Sequence, residues 1–155
     1  MEELVKKLIE KQMTISTMES CTGGAISNQI TNIPDASKVI RFAAVTYSNE
    51  YKIKMGVPSD VIQKYTVYSM EVAKEMAKAI SDYTSSNYGV GVTGKLKRFD
   101  EANPYGEDDV VYLAIYDRNN DLYYGEKIKL SFESRNDNKN EIIHYFVLKM
   151  LEILK

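Results

Sequence analysis

The sequence predicts an α/β fold, a three-layer α/β/α sandwich around a mixed, mostly parallel sheet of about five strands. Two observations carry this. Segments with apolar residues at helical spacing alternate with short β-branched runs along the whole chain, the pattern of helices packed on a largely parallel sheet. One late pair of runs, joined by Asp117-Arg118-Asn119-Asn120-Asp121, reads as a hairpin and makes at least one strand antiparallel. The 155 residues show no repeat, low-complexity tract or internal boundary, which predicts one domain over 1–155.

Leu4, Val5, Leu8 and Ile9 give residues 2–12 an amphipathic helical face. Thr14–Met18 reads as a short strand. Glu19-Ser20-Cys21-Thr22-Gly23-Gly24 then turns the chain into a helix with Ala25, Ile26 and Ile30 on its apolar side, stopped by Asn32-Ile33-Pro34-Asp35. Arg41–Thr46 reads as a buried strand. Pro58-Ser59-Asp60 opens a short helix to about Lys64. Ser69 sits where a cap belongs, ahead of a stripe of Val72, Ala73, Met76, Ala77 and Ile80. Tyr88–Thr93 is a strand, Val110–Tyr116 and Leu122–Leu130 form the hairpin, and a helix runs from about Asn138 to the end. Gly94–Asp109 is longer than an ordinary connection and is a candidate functional loop.

Composition excludes several classes of function. With 20 basic and 22 acidic side chains and a densest basic run of only Lys95-Leu96-Lys97-Arg98, nothing supplies the phosphate neutralisation of a nucleic-acid binder. One cysteine and one histidine give no disulfide and little to hold a metal, so no metal and no cofactor are expected. The charged start Met1-Glu2-Glu3-Leu4-Val5-Lys6-Lys7 is unlike a signal peptide, and no stretch approaches the ~20 apolar residues of a membrane span. A cytoplasmic protein is expected. The apolar helix surface suits a homo-oligomer. His144 is read as a structural or surface residue.

The chemistry concentrates where the first strand meets the second helix. Backbone N–H groups at a helix start have no partner within the helix and carry positive potential. Gly23 and Gly24 remove the Cβ atoms that would keep a ligand away. Such a turn suits an anion or an oxyanion, and Ser20 or Thr22 is a nucleophile, a cap or a phosphate ligand. Cys21 at a helix start is a candidate reactive thiol. Tyr47 and Lys52 follow the end of the second apolar strand, where ligands of open α/β sheets bind. Lys52 is otherwise a solvated surface lysine, and Tyr51 and Tyr68 are candidates to line the pocket.

Met18-Glu19-Ser20-Cys21-Thr22-Gly23-Gly24, Ile30-Thr31-Asn32-Ile33-Pro34, Val45-Thr46-Tyr47-Ser48-Asn49-Glu50-Tyr51-Lys52, Ser69–Ala77 and Val90-Gly91-Val92-Thr93-Gly94, in this order and spacing, resemble the CinA C-terminal (nicotinamide-nucleotide amidohydrolase) family. The resemblance implies deamidation of nicotinamide mononucleotide to nicotinate mononucleotide and ammonia, with a small-molecule nucleotide as the partner. It implies Ser20 as nucleophile, Lys52 as general base and Tyr47 as a helper in proton transfer or positioning. It further implies substrate contacts from Cys21, Thr22, Gly23, Gly24, Thr93, Gly94 and Arg135. Thr93 touches ligand or caps a turn.

The chain departs from the family pattern after Thr93-Gly94, where a glycine cluster gives way to the charged and bulky residues 95–109. Near the C-terminus Arg135 matches the first of two family arginines and Lys139 replaces the second. Lysine keeps the charge and loses the bidentate fork. The alternative expectation is therefore a catalytically degenerate member that binds a nucleotide or protein partner, and a third is an amidohydrolase with a different substrate.

Overall fold

The computed structural model describes residues 1–155. Six helices and five strands follow in the order α1 (Glu2–Glu10), β1 (Ile15–Glu19), α2 (Ala25–Thr31), a 3-10 turn at Ala36–Lys38, β2 (Ile40–Val45), α3 (Asn49–Lys54), α4 (Ser59–Tyr65), α5 (Met70–Thr84), β3 (Tyr88–Gly94), β4 (Val110–Asp117), β5 (Leu122–Lys129) and α6 (Arg135–Ile153). The strands form one sheet in the order β2-β1-β3-β4-β5. β1 pairs in parallel with β2 and β3, and β4 pairs antiparallel with both β3 and β5. Four strands thus point one way and β4 opposes them. No helix is long and apolar enough to cross a membrane.

The period of two along each strand sorts the two faces. Ile15, Val90, Val92, Val111, Leu113 and Ile115 meet Leu4 and Leu8 of α1, Ile26 and Ile30 of α2, and Ile142, Phe146 and Met150 of α6 in the larger core. On the other face Met18 packs with Val72, Met76 and Ile80 of α5. Gly89 and Gly91 let α5 lie almost flush on β3. A Cβ on either would come within 1.9 Å of the Ala77 carbonyl oxygen or 2.1 Å of that of Ala73, distances no side chain tolerates. Ser69 caps α5, its Oγ accepting from the Val72 N–H at 3.2 Å. Ser69→Ala is expected to cost about 1 kcal/mol of stability, read from the denaturant midpoint at constant m-value.

Three expectations are corrected. β2 is an edge strand: Arg41, Phe42, Ala43 and Val45 are exposed, because it pairs only with β1 and no helix covers its outer side. Residues 49–54 form a helix, α3, where the sequence suggested only a strand exit. α6 begins at Arg135 rather than Asn138, because Ser134 caps it by accepting from the Asp137 N–H at 3.4 Å.

Candidate active site

β1 and β2 run side by side and end together, so the residues that follow them lie at the same carboxyl edge of the sheet. Glu19 pairs with Val45 in the ladder, and the Thr46 N–H donates to the Glu19 carbonyl at 2.8 Å. Ser20 leaves one strand and Thr46 the other. α3 then folds back across this edge, capped by Ser48, whose Oγ accepts from the Tyr51 N–H at 3.3 Å. One turn of helix carries Lys52 inward rather than to solvent.

Lys52 is only 2% exposed. Its Nζ donates to Ser20 Oγ at 3.1 Å and to the Thr46 carbonyl at 2.8 Å, and no carboxylate is among its partners. Burial without a counter-charge disfavours the ammonium, and the amine's pKa falls from 10.5 to about 8. A hydroxyl thus sits against an amine able to shed its proton near neutrality, the geometry required of a nucleophile and its base. This burial excludes the alternative reading of Lys52 as a solvated surface lysine.

The alternative of a reactive thiol at Cys21 is excluded as well. Burial pushes its thiol up to about 12, so it is neutral and not an activated thiolate. Its side chain lines the cleft, and its backbone N–H and that of Thr22 donate to no carbonyl of the protein. These two amides follow the Ser20 hydroxyl directly.

The start of α2 does not present a free anion site. Glu19, wholly buried, fills it with its own carboxylate. One oxygen accepts from Thr17 Oγ1 at 3.2 Å and the Ser27 N–H at 2.9 Å, and the other from Thr22 Oγ1 at 2.7 Å and the Ile26 N–H at 3.0 Å. The helix-terminal N–H groups and their positive potential are thereby satisfied from within. Thr22 is a wholly buried support for this carboxylate. Gly23 and Gly24, at φ 63° and 91°, make the backward turn that brings α2 over Glu19. Lys139 Nζ lies 3.4 Å from where a Gly23 Cβ would stand.

The cleft above Ser20 has a volume of about 730 Å³. Ser20, Cys21, Tyr47, Ser48, Asn49 and Lys52 form one wall; Gly94, Lys95, Arg98, Phe99, Asp100 and Asn103 form the other, with Val67, Tyr68 and Arg135 between. Tyr47 is 66% exposed at the mouth, and Arg135 reaches its hydroxyl at 3.5 Å while also donating to the Leu96 carbonyl at 3.3 Å. Of the residues expected at the site, Thr22, Gly23, Gly24 and Thr93 are outside the lining. Thr93 is wholly buried and its Oγ1 donates to the Val67 carbonyl at 2.9 Å. Tyr51 is exposed and outside the cleft lining, and His144 is exposed on α6.

A family model for the CinA C-terminal domain matches residues 1–155. The chain belongs to the CinA C-terminal domain family. Its relatives include a protein of Clostridium kluyveri named as competence-damage inducible, 42% identical over 120 residues, which are 76% of this chain and 29% of that protein. A like-named protein of Alkaliphilus oremlandii is 50% identical over 96 residues, 61% of this chain and 23% of its own. The chain therefore spans less than a third of the length of these relatives. Among solved structures, the competence/damage inducible protein CihA from Agrobacterium tumefaciens superposes with a TM-score of 0.83 at 28% identity, over 99% of this chain and 94% of that one. A competence or damage-inducible protein from Enterobacter asburiae shares the fold, with a TM-score of 0.86 at 23% identity over 99% and 98% of the two chains.

Within this CinA domain, the loop of residues 95–109 supplies the wall that faces Ser20. Lys95 turns inward, its side chain 1% exposed, paired with Asp108 at 2.9 Å and stacked over the rings of Tyr68 and Phe99. Tyr68 donates to Asp100 at 2.6 Å, and Asn103 donates to the same oxygen at 2.9 Å. Asn49 on α3 donates to Asn103 at 2.9 Å, which ties the loop to the helix carrying Lys52. Sequence reasoning missed Glu19, Thr46, Lys95 and Asn49. For Glu19 a signal existed, since it stands at a period of two from Ile15 and Thr17 and so shares their face of β1. Thr46 Oγ1 is the one buried side-chain polar atom without a partner, a placement that costs about 1–3 kcal/mol.

Proposed function

We propose that this chain is a serine-dependent amidohydrolase that acts on a nicotinamide nucleotide, converting nicotinamide mononucleotide to nicotinate mononucleotide and ammonia. The observation that carries this reading is the Ser20–Lys52 pair: a nucleophile 3.1 Å from a buried amine whose pKa is lowered to about 8. Neutral Lys52 takes the Ser20 proton as Oγ attacks the amide carbon. The oxyanion of the tetrahedral intermediate is received by the amide of Cys21, the residue that follows Ser20 in the cleft lining. Lys52 returns the proton to the departing nitrogen, ammonia leaves, and an acyl group remains on Ser20. Water then attacks that ester, giving its proton to Lys52, and Ser20 leaves with it as the acid is released. Tyr47 and Arg135 stand at the mouth to orient the substrate, and the positive Arg98 and Arg135 suit an anionic one.

The charged wall formed by residues 95–109 favours a second reading, a domain that binds a nucleotide or protein partner without turning it over. Ammonia release from nicotinamide mononucleotide by wild type and Ser20→Ala separates the two. Turnover that disappears in Ser20→Ala is the expected result. Binding of the nucleotide by calorimetry without ammonia release supports the second reading, and activity retained by Ser20→Ala sinks the first. Turnover of other amides only would keep the chemistry and change the substrate.

A further inference from the structure

Thr46 meets Lys52 through its backbone carbonyl and does not line the cleft. It is 2% exposed, and both of its backbone groups are committed, the N–H to Glu19 and the carbonyl to Lys52 Nζ. Its hydroxyl has no partner in the protein, alone among the buried side-chain polar atoms of the chain. Valine has nearly the same shape and would carry no such cost, so folding does not account for a hydroxyl here.

Lys52 supplies the complementary requirement. A neutral amine has two N–H bonds and one lone pair. For the lone pair to face the Ser20 hydroxyl, both N–H bonds need acceptors elsewhere. The Thr46 carbonyl takes one, and apart from Ser20 Oγ the amine has no other partner in the protein. If the second N–H stays on Ser20, the amine donates where it has to accept.

We propose that Thr46 is a positioning residue for Lys52, its hydroxyl holding one buried water that accepts the second amine N–H and so turns the lone pair onto Ser20. The inference rests on the reading of Lys52 as base. The water has two polar partners, Thr46 Oγ1 and the amine, the least that a buried water is found with. The titratable and charged groups that line the cleft with the amine are Cys21 after β1, Tyr47 after β2, Tyr68 ahead of α5, Lys95, Arg98 and Asp100 on the facing loop, and Arg135 from α6, with Glu19 behind Cys21. A Thr46→Val substitution alters none of them.

The test compares wild type, Thr46→Val and Thr46→Ser in two readouts. The first needs no substrate: the pH titration of the Lys52 13Cε shift in lysine-labelled protein, assigned by its loss in Lys52→Met. Loss of the water removes an acceptor from the ammonium, so the midpoint falls in Thr46→Val by about half a unit or more and stays at the wild-type value in Thr46→Ser. The second is ammonia release, in which Thr46→Val lowers kcat about 10-fold with KM unchanged, and Thr46→Ser restores it. Thermal melting places Thr46→Val at or above wild type. A Lys52 midpoint unchanged in Thr46→Val overturns the proposal, and so does an unchanged kcat in an enzyme whose wild type turns over. If wild type releases no ammonia from any amide, the amidohydrolase reading fails by itself, and the titration alone decides whether Thr46 holds the amine.

Discussion

Lys52→Met leaves a folded protein whose ammonia release falls by roughly 10²–10⁴-fold, the usual worth of a general base. Methionine keeps the unbranched apolar stem and removes only the group that exchanges protons. The wild-type pH profile carries the same information. The amine is depressed to about 8 from its ordinary 10.5, and only its neutral form accepts the Ser20 proton, so kcat/KM rises with pH through about 8 and levels above it. A stability measurement gives an independent check. Unfolded chains hold the lysine proton up to about 10.5, whereas the folded protein gives it up near 8, so between these values the unfolded state binds more protons and stability rises with pH. Below 8 both states are protonated and the penalty of the buried charge is present in full. The stability of wild type relative to Lys52→Met therefore shifts in favour of wild type by on the order of 3 kcal/mol between pH 8 and 10.5. A flat difference, from urea titrations at several pH values, would mean that Lys52 keeps its ordinary pKa and is no base.

Glu19→Ala is the substitution expected to damage the fold most. Its carboxylate receives four donors, two on each oxygen, and three of the residues that supply them are wholly buried. Alanine strands the Thr17 and Thr22 hydroxyls and the Ile26 and Ser27 amides together. Orphaned buried donors cost about 1–3 kcal/mol each, and the start of α2 loses its compensating negative charge, so a total on the order of 3–5 kcal/mol follows. Glu19→Gln, which keeps one acceptor oxygen, falls between. Denaturant midpoints read both. An alanine variant within 1 kcal/mol of wild type would show that the turn after β1 stands without the carboxylate.

The sheet and its layers were legible because each helix of more than eight residues carries its apolar stripe, and because the Asp117–Asp121 turn declares a hairpin. The exposed edge was not legible. Phe42-Ala43-Ala44-Val45 has the composition of a buried parallel strand, and only the strand order reveals that nothing covers it. Ser20 and Lys52 stood out through their motifs, but the burial of Lys52 depends on α3, whose six residues are too few to show a period. The anion site expected at Gly23-Gly24 failed for a related reason. A helix start read from sequence looks empty, and the carboxylate that fills it arrives from the strand before the turn. Residues 95–109 have no periodicity at all, and their order comes from long-range pairs such as Lys95 with Asp108 and Asn49 with Asn103.

The two walls of the cleft come from separate stretches of chain. Ser20, Cys21, Tyr47 and Lys52 fall within residues 20–52 and are held by the register of β1 against β2, whereas the facing wall is drawn from residues 94–103, with Arg135 at the mouth. Such a division separates inheritance from adaptation: changes after Gly94 can redraw what fits the cleft while leaving the hydroxyl and amine at their spacing. If the proposed chemistry holds, a change of ligand is within reach of this domain through substitutions in a single loop, and directed evolution confined to residues 95–109 is the economical route to it.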